Sequence, residues 1–168
     1  EVDSNFDPTG DDQTRGWLWT HQRYDWMGRV VRRIATDGDP NALENDSDVL
    51  ISYAGCGCAG GLVTTIQGEL VPRDDQPTVN ARRTRKTYAD ILGRAIKLEL
   101  MDWNGNIYKT ATTKYNGRDQ VVSSRVHAGT ETATEFQETL STFDGHGRLK
   151  THRVPRQNPE SATSYIYY

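Results

Sequence analysis

The sequence predicts an all-β protein, a strip of repeated antiparallel β-hairpins. Three observations predict it. First, a short phrase recurs: Tyr24-Asp25-Trp26-Met27-Gly28-Arg29 returns as Phe143-Asp144-Gly145-His146-Gly147-Arg148, with looser copies between. An internal repeat means that the fold stacks one small unit. Second, apolar and polar residues alternate between the copies, as in Ile96-Lys97-Leu98-Glu99-Leu100, the two-residue period of a strand with one covered face. Third, helical periodicity is poor throughout. A hydrophobic content of 35% and a mean hydropathy of -0.77 suit a thin sheet better than a thick two-layer core.

The phrase has a physical reading. An aromatic residue ends one strand. Asp bonds its own backbone, and a Gly two or three residues on accepts φ > 0, so the two make a turn. Arg or Asn with aliphatic residues then starts the returning strand, and each copy encodes a hairpin corner. The corner residues are Tyr24, Asp25, Gly28 and Arg29; Tyr88, Gly93 and Arg94; Asp102 and Gly105; Tyr115 and Arg118; and Phe143, Asp144, Gly147 and Arg148. The middle copies depart from the pattern. Ala89 separates Tyr88 from Asp90, Met101 replaces the aromatic, and Tyr115-Asn116-Gly117-Arg118 is one residue short.

The elements follow in chain order. Residues 1–16 read as an irregular acidic lead-in, with Asp7-Pro8-Thr9-Gly10 as a turn signal. Trp17-Leu18-Trp19-Thr20 runs toward the first corner, and Val30 to Ile34 returns. Thr36 to Asn41 opens a loop that ends near Asp48. Val49, Ile51 and Tyr53 alternate as one strand face, as do Leu62, Thr64 and Ile66. Asp74 to Pro77 is a further loop. Arg82 to Tyr88, Ile96 to Leu100, Ile107 to Tyr115 and Val121 to Val126 read as strands. The Thr- and Glu-rich stretch from Ala128 to Glu138 reads as a loop, with a short helix the weaker alternative. Leu149 to Val154 is a strand, Pro155 to Glu160 a turn, and Ser161 to Tyr168 a strand leading into another copy.

The phrase resembles the tyrosine-aspartate (YD) repeat of the Rhs family, which includes bacterial Rhs proteins, the shell component of Tc toxin complexes, and teneurins. The resemblance covers residues 17–168 and implies a curled Rhs-type sheet strip, with more repeats expected beyond Tyr168. It implies a non-enzymatic structural role, secreted or at the cell surface. The partners expected are neighbouring repeats of the same longer chain, or identical copies in a homopolymer or filament. The alternative is a shell fragment of an Rhs polymorphic toxin that encloses a C-terminal toxin domain. A carbohydrate-binding adhesin using exposed Trp and Tyr is a third reading. Tyr165, Tyr167 and Tyr168 are the expected assembly strand, left without its following hairpin and so free to pair with another copy.

Other features weigh less. Cys56-Gly57-Cys58 lies in a Gly-rich stretch where a tyrosine-led corner belongs. Two thiols one residue apart admit a local disulfide, plain packing at a tight turn, or metal or intermolecular pairing. Asp37, Asp39, Asn41, Glu44, Asp46 and Asp48 suggest calcium, but Gly is missing at the sixth loop position and Glu at the twelfth, so a solvated acidic loop is expected. Asn45-Asp46-Ser47 is a glycosylation sequon. His21, His127, His146 and His152 form no spaced ligand pair, and no nucleophile elbow or phosphate loop is present. No enzymatic activity, cofactor or metal is therefore expected. The net charge of -3, with both signs interspersed, gives no case for nucleic acid or for membrane insertion. No segment approaches the roughly 18 apolar residues that span a bilayer.

Overall fold

A computed structural model describes residues 20–35, 47–55, 61–73, 76, 78–155 and 163–167. Among them there is no helix, and the chain is all-β. The strands are β1 (Thr20–Tyr24), β2 (Val30–Ala35), β3 (Ser47–Gly55), β4 (Leu62–Gln67), β5 (Val71–Pro72), β6 (Asn80–Ala81) and β7 (Thr84–Ala89). They continue as β8 (Ala95–Met101), β9 (Ile107–Tyr115), β10 (Val121–Ala128), β11 (Phe136–Phe143), β12 (Leu149–Arg153) and β13 (Thr163–Ser164). Eleven of them form one antiparallel sheet, not closed into a barrel, in the order β1-β2-β3-β4-β7-β8-β9-β10-β11-β12-β13. β5 and β6 form a separate two-stranded ribbon in the connection from β4 to β7. Each large strand therefore pairs with its neighbours in sequence, the quasi-one-dimensional arrangement of a repeat protein.

Because pairing is antiparallel throughout, the hairpins alternate between two ends of the sheet. The β1–β2, β3–β4, β7–β8, β9–β10 and β11–β12 connections lie at one end. The β2–β3, β4–β7, β8–β9, β10–β11 and β12–β13 connections lie at the other.

The two faces differ in an unexpected sense. Residues paired across strands share a face. Glu99 pairs with Thr110 and Thr110 with His127, while Ile34 pairs with Asp48. The row Leu50–Gln67–Thr84–Met101 joins the two groups. The buried strand residues Ile34, Asp48, Glu99, Met101, Thr110, Ser123 and His127 thus all lie on one face, and most are polar. The opposite face carries Ile51 beside Ile66, and Tyr53, Thr64, Thr87, Leu98, Ala111 and Val126 in one row. These side chains are only half-buried, since this sheet is a single layer.

Buried charge must be paired, and here it is. Glu99 accepts from the Tyr88 hydroxyl at 2.7 Å and meets Lys97 Nζ at 3.1 Å. Glu138 accepts from Arg125 at 2.7 Å and from Ser123 at 3.1 Å, with Arg153 at 3.4 Å. Asp48 is held by Arg32 at 2.8 Å and by Arg82.

Two expectations are corrected. The stretch from Ala128 to Glu138 is neither all loop nor helix: after a connection over 129–135, β11 begins at Phe136 and pairs with β10. Thr163 to Tyr167, the described part of the expected unpaired strand, is not unpaired. Thr163 and Ser164 pair with β12, Tyr165 N–H donates to Lys150 O at 2.9 Å, and Tyr167 stacks against Arg148. The free edge of β12 captures the segment.

Candidate functional site

Five connections share one geometry, and the first corner defines it. Asp25 N–H donates to Arg29 O at 2.9 Å and Gly28 N–H to Asp25 O at 3.0 Å. Asp25 Oδ1 accepts the N–H groups of Met27 and Arg29, both at 2.9 Å, while Oδ2 binds Arg29 Nε at 2.8 Å. Gly28 takes φ 76°, where a residue with Cβ is penalised. A bulge between Arg23 and Tyr24 closes the unit. The same pattern holds at Asp90–Arg94, Asp102–Asn106 and Asp144–Arg148, with Gly93, Gly105 and Gly147 at φ 79°, 82° and 84°.

The middle copies are therefore more regular than the sequence suggests. Ala89, not Tyr88, occupies the position of Tyr24, so no residue is inserted. Tyr88 lies on the polar face, bonded to Glu99. The fifth copy is not one residue short. Asn116 Oδ1 accepts from Arg118 N–H at 2.9 Å and Gln120 N–H at 3.1 Å. Asp119, not Gly117, takes the left-handed position at φ 63°, and Gln120, not Arg118, takes the place of the arginine.

Corners are linked to their neighbours. The Arg29 guanidinium lies 4.4 Å over the Tyr53 ring, and the Tyr53 hydroxyl donates to Val30 O. Arg94 lies 4.9 Å over Tyr115, whose hydroxyl donates to Ala95 O. Arg94 also meets Asp119 of the next corner at 2.5 Å. Gln120 Nε2 donates to Gly147 O at 2.5 Å, and Arg148 lies 4.6 Å over Tyr167. A charged guanidinium against a ring face is attractive, so each corner arginine fastens both its own turn and a following strand.

The aspartates are acidified by this geometry. The Arg29 N–H lowers Asp25, the Arg94 guanidinium lowers Asp90, and the Asn106 N–H lowers Asp102. The Arg148 N–H lowers Asp144 to about 2. These carboxylates stabilise turns, and as low-pKa acceptors already engaged they are poor general bases.

The tips of the corners divide the molecule. Trp26 is 92% exposed and Met27 56%; Ile91 is 72% exposed and Leu92 66%. The corresponding positions in the two C-terminal corners are Gly117-Arg118 and Gly145-His146. Trp26 packs against little. Trp103 is instead covered by Arg83 at 4.3 Å.

At the opposite end a cleft of about 730 Å³ opens among Tyr108, His127, Phe136, Glu138, Arg153 and Pro155. His127 Nδ1 lies 3.2 Å from Ala133 O, Arg125 stacks on Phe136, and Glu138 is held by Arg125. Among the described residues that line it, no nucleophile is aligned with a base. Among the described residues no group of three or more His, Cys, Asp or Glu could hold a metal ion. Cys56, Cys58, Tyr168 and the acidic stretch over 36–46 lie outside the described residues, while Asp48, in β3, binds two arginines. No protein-family model matches the chain, and no curated protein matches it.

Proposed function

We propose that the chain is a non-enzymatic structural repeat unit of an extracellular shell or self-assembling filament. The observation that carries this reading is the linkage of corners: each Arg or Gln reaches the next strand or corner in sequence order. Such a unit extends by adding copies of itself, and its open edge strands offer unpaired backbone groups for further pairing. β1 is exposed along its whole length. Within the family that the phrase resembles, the second reading is a strip of a toxin shell. It is favoured by the open, unclosed sheet.

Light scattering and electron microscopy of the purified chain separate these readings. Concentration-dependent fibres are expected, and proline substitutions along the exposed edge strand β1 should shorten or abolish them while the β-sheet circular dichroism signal stays. A monodisperse monomer at high concentration would sink self-assembly and leave the shell strip as the better account.

A further inference from the structure

We infer that the end of the sheet bearing the first corners is a lipid-contacting edge, whose apolar tips enter the interfacial zone of a bilayer without spanning it. The β1–β2 and β7–β8 corners lie at the same end. Four strand spacings separate them, about 19 Å at ~4.8 Å each. Both present two large apolar side chains to water at positions where the other described corners at that end carry Gly, Arg or His. The turn needs nothing apolar there. Its geometry is made by Asp, Gly and Arg alone, as the Asn116–Gln120 and Asp144–Arg148 corners demonstrate.

Two further observations favour lipid over water as the neighbour. Backbone groups entering an apolar phase must be satisfied internally. In the first corner the N–H groups of Asp25, Met27, Gly28 and Arg29 are bonded within the turn, and the Trp26 N–H, which has no partner in the turn, stays in the hydrated interfacial zone. The same holds for Asp90, Leu92, Gly93 and Arg94. In addition, the charge at the base of each tip is neutralised, Asp25 by Arg29 at 2.7 Å and Asp90 by Arg94 at 2.6 Å. The tips therefore offer apolar area with little ionic desolvation, and Trp26 is of the residue type that settles at membrane interfaces. The interspersed charges, the basis for expecting no membrane insertion, bear on attraction to anionic lipid, and the absence of a long apolar segment bears on spanning; neither bears on insertion of apolar tips.

The test is vesicle flotation at a concentration where light scattering shows monomer, so that failure to bind is separate from failure to assemble. Neutral phosphatidylcholine vesicles are expected to carry the chain. Addition of phosphatidylserine or of salt should change this little, because paired corner charges and a net charge of -3 give no attraction to anionic lipid. The double variants Trp26→Ser/Met27→Ser and Ile91→Ser/Leu92→Ser should each weaken binding roughly tenfold or more, from lost apolar burial. Leu70→Ser, exposed in the β4–β7 connection at the opposite end, should leave it unchanged. Unaltered circular dichroism would show the variants folded. Binding that survives both double variants, or that needs anionic lipid, overturns the inference. So does an absence of vesicle binding, including the case where tip substitution instead dissolves an oligomer.

Discussion

The two ends of the sheet are built by different means. At one end four described corners repeat one local chemistry, in which every turn-forming bond joins residues no more than four apart, as in Asp90 with Arg94. At the other end the connections differ from one another. One is the Asp102–Asn106 corner, one contains the β5–β6 ribbon, and one is the 129–135 connection, where Thr110 Oγ1 donates to Gly129 O at 2.6 Å. There the polar groups are joined over long stretches of chain. Arg82, 34 residues from Asp48, binds both its carboxylate and its carbonyl oxygen, and donates to Gly68 O at 2.7 Å. The comparison teaches that repetition fixes the strand order, whereas the irregular end depends on single residues without a substitute.

The largest effect should follow from breaking the irregular end. Burial pushes the Asp48 carboxyl up, but hydrogen bonds from Arg82 and Arg32 outweigh it and leave the group below its ordinary value. Asp48→Ala would leave two half-buried guanidiniums facing one another. A cost of about 3 kcal/mol is expected, the low end for breaking a buried pair, since Arg32 keeps 31% of its side chain in water. Asp144→Ala, at a repeated corner, should cost clearly less because its partner Arg148 is exposed. Equal urea midpoints for the two variants would refute the division.

A middle-sized effect is expected at the repeated end. Gly28 holds φ 76° with open space around the position a Cβ would take. Gly28→Val should therefore cost about 1–2 kcal/mol from the left-handed backbone alone. Gly28→Asp should cost less, as Asp119 already holds φ 63° in the fifth corner. Gly147→Val meets Arg118 Nη1 at 3.3 Å as well, so it should cost at least as much as Gly28→Val. Thermal unfolding of the three variants checks the order. Identical Tm values for Gly28→Val and Gly28→Asp would mean that backbone conformation is not what the glycine supplies.

Legibility follows the same division. Asp25, Asp90, Asp102 and Asp144 were readable as turn formers because the partners of each lie within four residues. The period-two alternation of Ile96 to Leu100 was readable for the same reason. The register of the middle copies was not. Tyr88 and Arg118 look like members of the phrase, but only hydrogen bonding reveals that Ala89 and Gln120 hold those positions. β11 was hidden because Phe136 to Phe143 alternates polar residues on both faces. The polar buried face was hidden too, since aliphatic residues are the usual mark of the covered side. Glu99, Lys97 and Tyr88 belong together through pairings of β7 with β8 that no local pattern announces. The apolar tips sat in plain view at turn positions, where side chains carry no periodic signal.

The smallest effect, and the one that isolates a single corner, is acid sensitivity. Asp144 is lowered from 3.8 to about 2, above all by the Arg148 N–H; burial opposes this, and the Arg148 guanidinium and His146 N–H add to the fall. A carboxylate whose folded pKa is depressed contributes stability above its unfolded pKa, and loses it as pH falls through the folded value. The corner at Asp144 should thus loosen as pH falls from about 4 toward 2, and those at Asp25, Asp90 and Asp102, lowered in the same direction, should loosen as pH falls below the ordinary carboxylate range. The Asn116 corner offers an internal control. Its acceptor is an amide that does not titrate, yet it takes the same two N–H bonds, from Arg118 and Gln120. In an NMR titration the amide resonances of His146 and Arg148 should move with a midpoint near 2, while the hydrogen bonds of Arg118 and Gln120 to Asn116 persist. If both sets shifted together at the same midpoint, the change would be a global opening of the sheet, and the carboxylate at each corner would not be the group that senses acid.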